Sequence, residues 1–193
     1  NTLTRKMDDL VPVRPGHVGI YACGPSLDGP ADLGLCRRMV FADLLRRYLG
    51  LRGFEVKLVV NISDVDDRTV GQCLTEGEGI ESFRARQEQQ FFSDMEALGV
   101  RRAHEHPRSS EYVPQMVEAT RQLLARGVAY EKLGSVYFDL SRFEPYGALS
   151  RVATGETQQH QDPRTFEKAN PGDFALFKRT TLAELKAGLY YKT

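Results

Sequence analysis

Side chains able to do chemistry gather at three places in this sequence. The first is Cys23-Gly24-Pro25-Ser26, where a thiol and a hydroxyl flank a glycine–proline stop. The second is ISDVDDR at residues 62–68, which sets the Ser63 hydroxyl beside the carboxylates of Asp64, Asp66 and Asp67. The third is RRAHEHPRSS at residues 101–110, with His104 and His106. Thiolate is a soft metal ligand, imidazole a borderline one and carboxylate a hard one, and glycine lets a backbone approach a ligand closely. Each place also has a plainer reading. The three cysteines, Cys23, Cys36 and Cys73, show no C-x-x-C spacing, so the sequence offers neither a disulfide framework nor a self-contained zinc site. Aspartates at a helix start cap orphan N–H groups and favour the helix dipole. Two histidines in a proline-containing loop are expected to be solvated.

The elements that must position these groups can be read from the flanking residues. A β-type run at residues 18–23 stops at Gly24-Pro25. A loop with Gly29, Pro30 and Gly34 follows, and then a long helical stretch. Strand, glycine-containing turn and helix open a doubly wound nucleotide-binding fold, with ligands held beyond the strand's carboxyl end and phosphates favoured at the helix N-terminus. In the helix, Cys36, Val40, Leu44 and Tyr48 recur at spacing four with Phe41 and Leu45 beside them, which predicts a core-facing stripe. Arg37, Arg38, Arg46 and Arg47 lie off it and are expected on a solvated face. Gly50 and Gly53 end the helix.

Residues 54–61, FEVKLVVN, become continuously apolar and predict a buried parallel strand, after which ISDVDDR starts another helix. Helices are further predicted from about Ile80 to Leu98 and from Glu111 to Arg126. Val128–Tyr130 and Ser135–Asp139 predict a hairpin around Lys132-Leu133-Gly134. Residues 151–169, including His160, are polar and expected to form a mobile loop; NPGDFALFK at 170–178 reads as a turn and a short buried strand. Residues 1–17 read as an edge element leading into the first strand.

The opening NTLTRKMDDLVPVRPGHVGIYACGP, together with VNISDVDDR at 60–68, YGALSR at 146–151 and NPGDFALFK, resembles the N-terminal catalytic half of cysteinyl-tRNA synthetase, a class I aminoacyl-tRNA synthetase, over essentially the whole chain. The resemblance implies an α/β, Rossmann-like class I synthetase nucleotide-binding fold. Residues 1–98 would form its first half, and 99–193 the connective insertion and return segment. It implies ATP-dependent activation of cysteine to cysteinyl-adenylate and transfer to tRNA. Gly24, Ser26 and Gly34 would approach ATP, and Cys23 and Ser63 would line the amino-acid pocket. Cys23 would also be one of four zinc ligands, the other three lying beyond Thr193; the plainer reading of Cys23 is a buried strand-end thiol.

One departure stands out. The histidine-x-glycine-histidine signature of class I synthetases falls at Asp32-Leu33-Gly34-Leu35, which keeps the glycine and neither histidine. Losing positioned donors of that kind costs about 2.7–4 kcal/mol each in comparable oxyanion sites. The isolated chain is therefore expected to be inactive. A diverged, non-catalytic paralogue that keeps a binding or interaction role is the first alternative, and a ligase joining cysteine to a small amine the second.

Composition bounds the rest. In 193 residues, 41% hydrophobic and 27% charged, Lys+Arg and Asp+Glu are both 26, so no bulk basic charge advertises nucleic acid. No apolar run approaches the ~18 residues of a membrane span, and a cytoplasmic protein is the simplest expectation. Starting at Asn1 and ending at Thr193, the sequence reads as part of a longer polypeptide.

Overall fold

In the computed structural model, which describes residues 1–150 and 168–191, β1 (His17–Ala22) and β2 (Glu55–Val60) pair in parallel, with His17 opposite Glu55 and Ala22 opposite Val60. The helix α1 (Leu33–Leu51) makes the crossover between them. Then come α2 (Asp67–Glu76), α3 (Ile80–Ala97), a 3₁₀ turn (Ser109–Tyr112) and α4 (Val113–Ala125). The strands β3 (Ala129–Lys132) and β4 (Ser135–Phe138) form an antiparallel hairpin on which β5 (Phe174–Phe177) lies antiparallel, and α5 (Leu182–Lys186) follows. Two compact units result. One contains Leu10–Val113 together with α5; the other contains Asn1–Asp9 and Pro114–Thr181.

In the first unit, α1 is apolar on two faces, and the packing selects one of them. Leu35, Met39 and Ala42 from α1, Leu58 and Val60 from β2, and Phe91 and Met95 from α3 make the core cluster. Each of the Leu, Met, Val and Phe side chains among them, once buried, stabilises by about 1.5–3 kcal/mol. The predicted stripe is not the buried one: Phe41 and Leu44 are 63% and 62% exposed, and Val40 and Tyr48 are exposed as well. The expected solvated face is also corrected in part. Arg46 donates to Asp43 and to the carbonyls of Arg101 and Arg102, while Arg47 donates to Asp43 and to the Gly99 carbonyl. These guanidiniums tie α1 to the backbone that follows α3.

The segment 104–109, expected as a solvated loop, instead runs parallel to β2 on the side away from β1. Val59 bridges Glu105 and Ile62 bridges Arg108, and the Val60 and Ile62 N–H groups donate to the carbonyls of Glu105 and Pro107 at 3.1 and 2.9 Å. A third parallel segment thus flanks β2 and the residues that follow it. Residues 1–17 contribute turns and one bridge, Arg14 to His17, rather than an edge strand.

In the second unit the hairpin forms as expected. Leu133 and Gly134 both take positive φ, 53° and 77°, the two-residue turn whose twist matches the strands. Its organising group is Asp173, 1% exposed. Its carboxylate accepts from the Tyr130 hydroxyl at 2.7 Å, from the Leu140 N–H at 3.1 Å and from the Asn170 N–H at 3.2 Å. β5 is half-buried rather than fully buried. The polar stretch expected to be mobile, with His160, lies almost wholly outside the described residues.

Candidate ligand site at the strand ends

Beyond their carboxyl ends β1 and β2 do not diverge. The pairing continues through a bridge between Ser26 and Ser63, with Ser63 N–H donating to the Pro25 carbonyl at 2.9 Å and Leu27 N–H to the Ser63 carbonyl at 3.2 Å. From Ala22 opposite Val60 to Ser26 opposite Ser63, the first segment advances one residue more than the second. The two backbones close up at Gly24, where a β-carbon would lie 1.8 Å from the Asn61 carbonyl oxygen. Glycine is required there by contact with the neighbouring strand end.

Asn61 holds this juncture together. Its Oδ1 accepts the Gly24 N–H at 3.0 Å and its Nδ2 donates to the Ser63 Oγ at 3.2 Å. Below it, Asp66 is the N-cap of α2, its Oδ1 accepting the N–H groups of Arg68 and Thr69 at 2.9 Å each, as the sequence leads one to expect. Its other oxygen accepts the Ser26 hydroxyl. Thr69, fully buried, accepts from Leu27 N–H at 3.1 Å and donates to the Ser63 carbonyl at 3.2 Å. Asp64 is buried and accepts both the N–H and the hydroxyl of Ser110, at 2.8 and 2.5 Å. Arg68 pairs with Asp28, and this partner, with Asp66 and Asp32 nearby, holds the guanidinium even more firmly charged than usual.

Cys23, Gly24, Ser26 and Ser63 are therefore brought to one place. Cys23 is exposed there rather than a buried thiol. Asp32, Gly34 and Leu35 belong to the first turn of α1. Asp32 is its N-cap and accepts the Leu35 N–H at 2.6 Å, while the Leu35 side chain, 8% exposed, points into the core cluster. Neither side chain presents a hydrogen-bond donor. Among the described residues no three His, Cys, Asp or Glu side chains converge on a common point, so these residues do not make a zinc site around Cys23. His104 and His106 are engaged with the backbone instead. His104 Nδ1 accepts the Leu58 N–H at 2.9 Å. His106 Nε2 accepts the Ala103 N–H at 3.2 Å, which leaves Nδ1 to donate to the Val60 carbonyl at 3.1 Å. Sequence reasoning passed over Asn61 and Thr69. The available signal for Asn61 was a lone amide closing an otherwise apolar strand, at the end where ligands bind.

A parallel β–α–β unit with a closed pair of strand ends, extended by a third parallel segment, is an α/β arrangement of the Rossmann-like kind. Residues 9–188 match the family model described as tRNA synthetases class I (C) catalytic domain, and the chain belongs to that family. It is similar to the cysteine--tRNA ligase of Methanosarcina acetivorans, 39% identical over 193 residues, covering 99% of this chain and 41% of that protein. The cysteine--tRNA ligase of Pelotomaculum thermopropionicum is 40% identical over 182 residues, covering 92% of this chain and 37% of that protein. The chain thus spans about two fifths of the length of the curated relatives it matches. In fold it is similar to the LeuRS of Agrobacterium radiobacter, solved as a LeuRS–tRNA–LeuAMS complex, with a TM-score of 0.52 at 21% identity, covering 67% of this chain and 17% of that one. Among the described residues no helix is long and apolar enough to cross a membrane.

Proposed function

We propose that the chain is the amino-acid-binding part of a cysteine--tRNA ligase-type catalytic domain, and that by itself it does not activate cysteine. The reaction of the longer polypeptide would be ATP-dependent formation of cysteinyl-adenylate, followed by transfer to tRNA. Cys23 and Ser63 would face the amino acid, with Gly24 and Ser26 shaping the strand ends behind them. Gly34 would lie nearest the ATP phosphates. The first half of the domain would run to Val113 rather than to residue 98, because the ladder at 104–109 belongs with β2.

One observation carries the second half of this reading. At the N-terminus of α1 a carboxylate accepts the helix N–H group that could otherwise meet a phosphate, and the other signature side chain is in the core. Asp32 brings a negative charge where phosphate oxygens would come, and Leu35 has no proton to give. The same observation favours the alternative of a non-catalytic paralogue that retains its pocket.

Cysteine-dependent ATP–pyrophosphate exchange by the full-length gene product, with zinc added, separates the two. Exchange above background supports a ligase in which groups outside this chain replace the lost histidines. A folded full-length protein without exchange is the non-catalytic paralogue.

A further inference from the structure

Asn61 does more than bridge two loops. The Gly24 N–H can only donate, so the amide oxygen of Asn61 must face it, and this forces the amide nitrogen toward Ser63. The Ser63 oxygen consequently accepts, and its own proton must go elsewhere. Among the described residues the Ser63 hydroxyl makes no hydrogen bond other than the one it accepts from Asn61. The hydroxyl is half-buried, at the strand ends where Cys23 is exposed.

We propose that Asn61 is a positioning residue: by donating to Ser63 Oγ it turns the Ser63 proton outward as a hydrogen-bond donor to an acceptor atom of the bound amino acid. Through Gly24 the same amide fixes the peptide that follows Cys23. The inference rests on the amino-acid site proposed above. It predicts that the polarity of residue 61 matters more than its size. Asn61→Asp keeps an acceptor for Gly24 but offers Ser63 an acceptor in place of a donor, so the serine proton turns inward.

The test is calorimetric titration of L-cysteine into the full-length protein under reducing conditions, for wild type, Asn61→Asp, Ser63→Ala and the double variant. Asn61→Asp and Ser63→Ala should each weaken binding about tenfold, the worth of one ligand hydrogen bond, and the double variant should bind no worse than Ser63→Ala. A mere charge effect of the new carboxylate would persist in the Ser63→Ala background. Additive losses, or wild-type affinity in Asn61→Asp, would overturn the proposal. Side-chain amide NMR reads the positioning without any ligand: Ser63→Ala should shift and deprotect the Asn61 amide protons and leave the Gly24 amide protected. If wild type binds no L-cysteine but this NMR signature is present, the function proposed above fails and the hydrogen-bond relay stands. If the Asn61 amide does not respond to Ser63→Ala, the relay itself is wrong.

Discussion

The Asp32 carboxylate accepts the backbone N–H of Leu35 at 2.6 Å, so the first turn of α1 is capped by its own chain. The two residues at which a class I signature would place imidazoles thus act together as a helix start. Asp32→Ala should cost about 1 kcal/mol in thermal or denaturant unfolding, the usual value of a lost N-cap. Asp32→Asn keeps an acceptor oxygen and should cost only a few tenths of that while removing the negative charge. Titration with inorganic pyrophosphate should then show tighter binding to Asp32→Asn than to wild type. Leu35→His should cost about 2–5 kcal/mol, because it removes a leucine from the cluster with Met39, Leu58 and Phe91. Restoring both histidines is therefore not a neutral repair.

Gly24 offers a sharper steric test. A β-carbon there would meet the Asn61 carbonyl oxygen at 1.8 Å and Val60 Cγ1 at 2.9 Å, and the first of these is backbone that cannot rotate away. Gly24→Ala should destabilise by about 1–3 kcal/mol or more as the strand ends are forced apart. Gly71, inside α2 with nothing within 4 Å of its would-be β-carbon, is the control. Gly71→Ala should stabilise by up to about 1 kcal/mol through helix propensity. Equal losses at the two positions, measured by urea unfolding, would mean that the strand-end contact is not tight.

What the sequence revealed and what it hid have physical causes. The β–α–β unit, an aspartate cap on α2 and a hairpin turn near Gly134 rest on local rules, namely strand continuity, capping chemistry and turn residues, and these were legible. That Asp66 is the capping residue, and that Lys132 belongs to β3 so that the turn is Leu133-Gly134 alone, was not. The buried face of α1 was not. Leu35, Met39 and Ala42 compete with Val40, Phe41, Leu44 and Tyr48 for the core, and a helix apolar on both sides gives periodicity no basis for choosing. The ladder at 104–109 was hidden because its pairing is carried by backbone groups and by histidine nitrogens, beneath a sequence rich in charge and containing Pro107. Within the site, Cys23 and Ser63 stood out by residue type. Asn61 did not, since its role depends on two backbones meeting across 37 residues of sequence.

The pairing of residues 104–109 with β2 should weaken in acid through His106. Burial lowers its pKa below the ordinary histidine value, and the cations of Arg102 and Arg108 add to this; the Val60 carbonyl and Glu88 oppose it. The ring stands edge-on to Phe92 with centroids 4.9 Å apart. Protonation would set an Nε2–H against the Ala103 N–H. Because the unfolded chain binds this proton more readily, the stability it withholds is fully present above the unfolded value of about 6.5 and is lost as pH falls through the folded value. The melting temperature should fall between pH 7 and pH 5 in wild type. His106→Gln, which can accept and donate without titrating, should show a smaller fall. A pH profile unchanged by this substitution would mean that another group sets the acid response.

Asp43 gives the same sign at a lower pH, and it tests why α1 turns the face it does. Burial would raise its pKa, but hydrogen bonds from Arg47, Arg46 and the Arg101 N–H outweigh burial and hold the carboxyl below its usual range. The Arg46 side chain is only 13% exposed, so this guanidinium cannot recover full hydration if its partner is lost. Removing one member of such a buried pair costs about 3–5 kcal/mol, because the other charge is left uncompensated. Asp43→Asn should therefore lower the urea midpoint markedly at pH 7. The Arg46 and Arg47 contacts to the carbonyls of Arg102 and Gly99 should loosen with it, which hydrogen exchange after α3 would detect. In wild type the stabilisation from the depressed carboxyl is present above the unfolded value of about 3.9 and disappears as pH drops through the folded value. Asp43→Asn should lose less of its remaining stability over that same interval. If the two proteins lose stability in parallel below pH 4, the packing of Leu35, Met39 and Ala42 alone decides which face of α1 is buried.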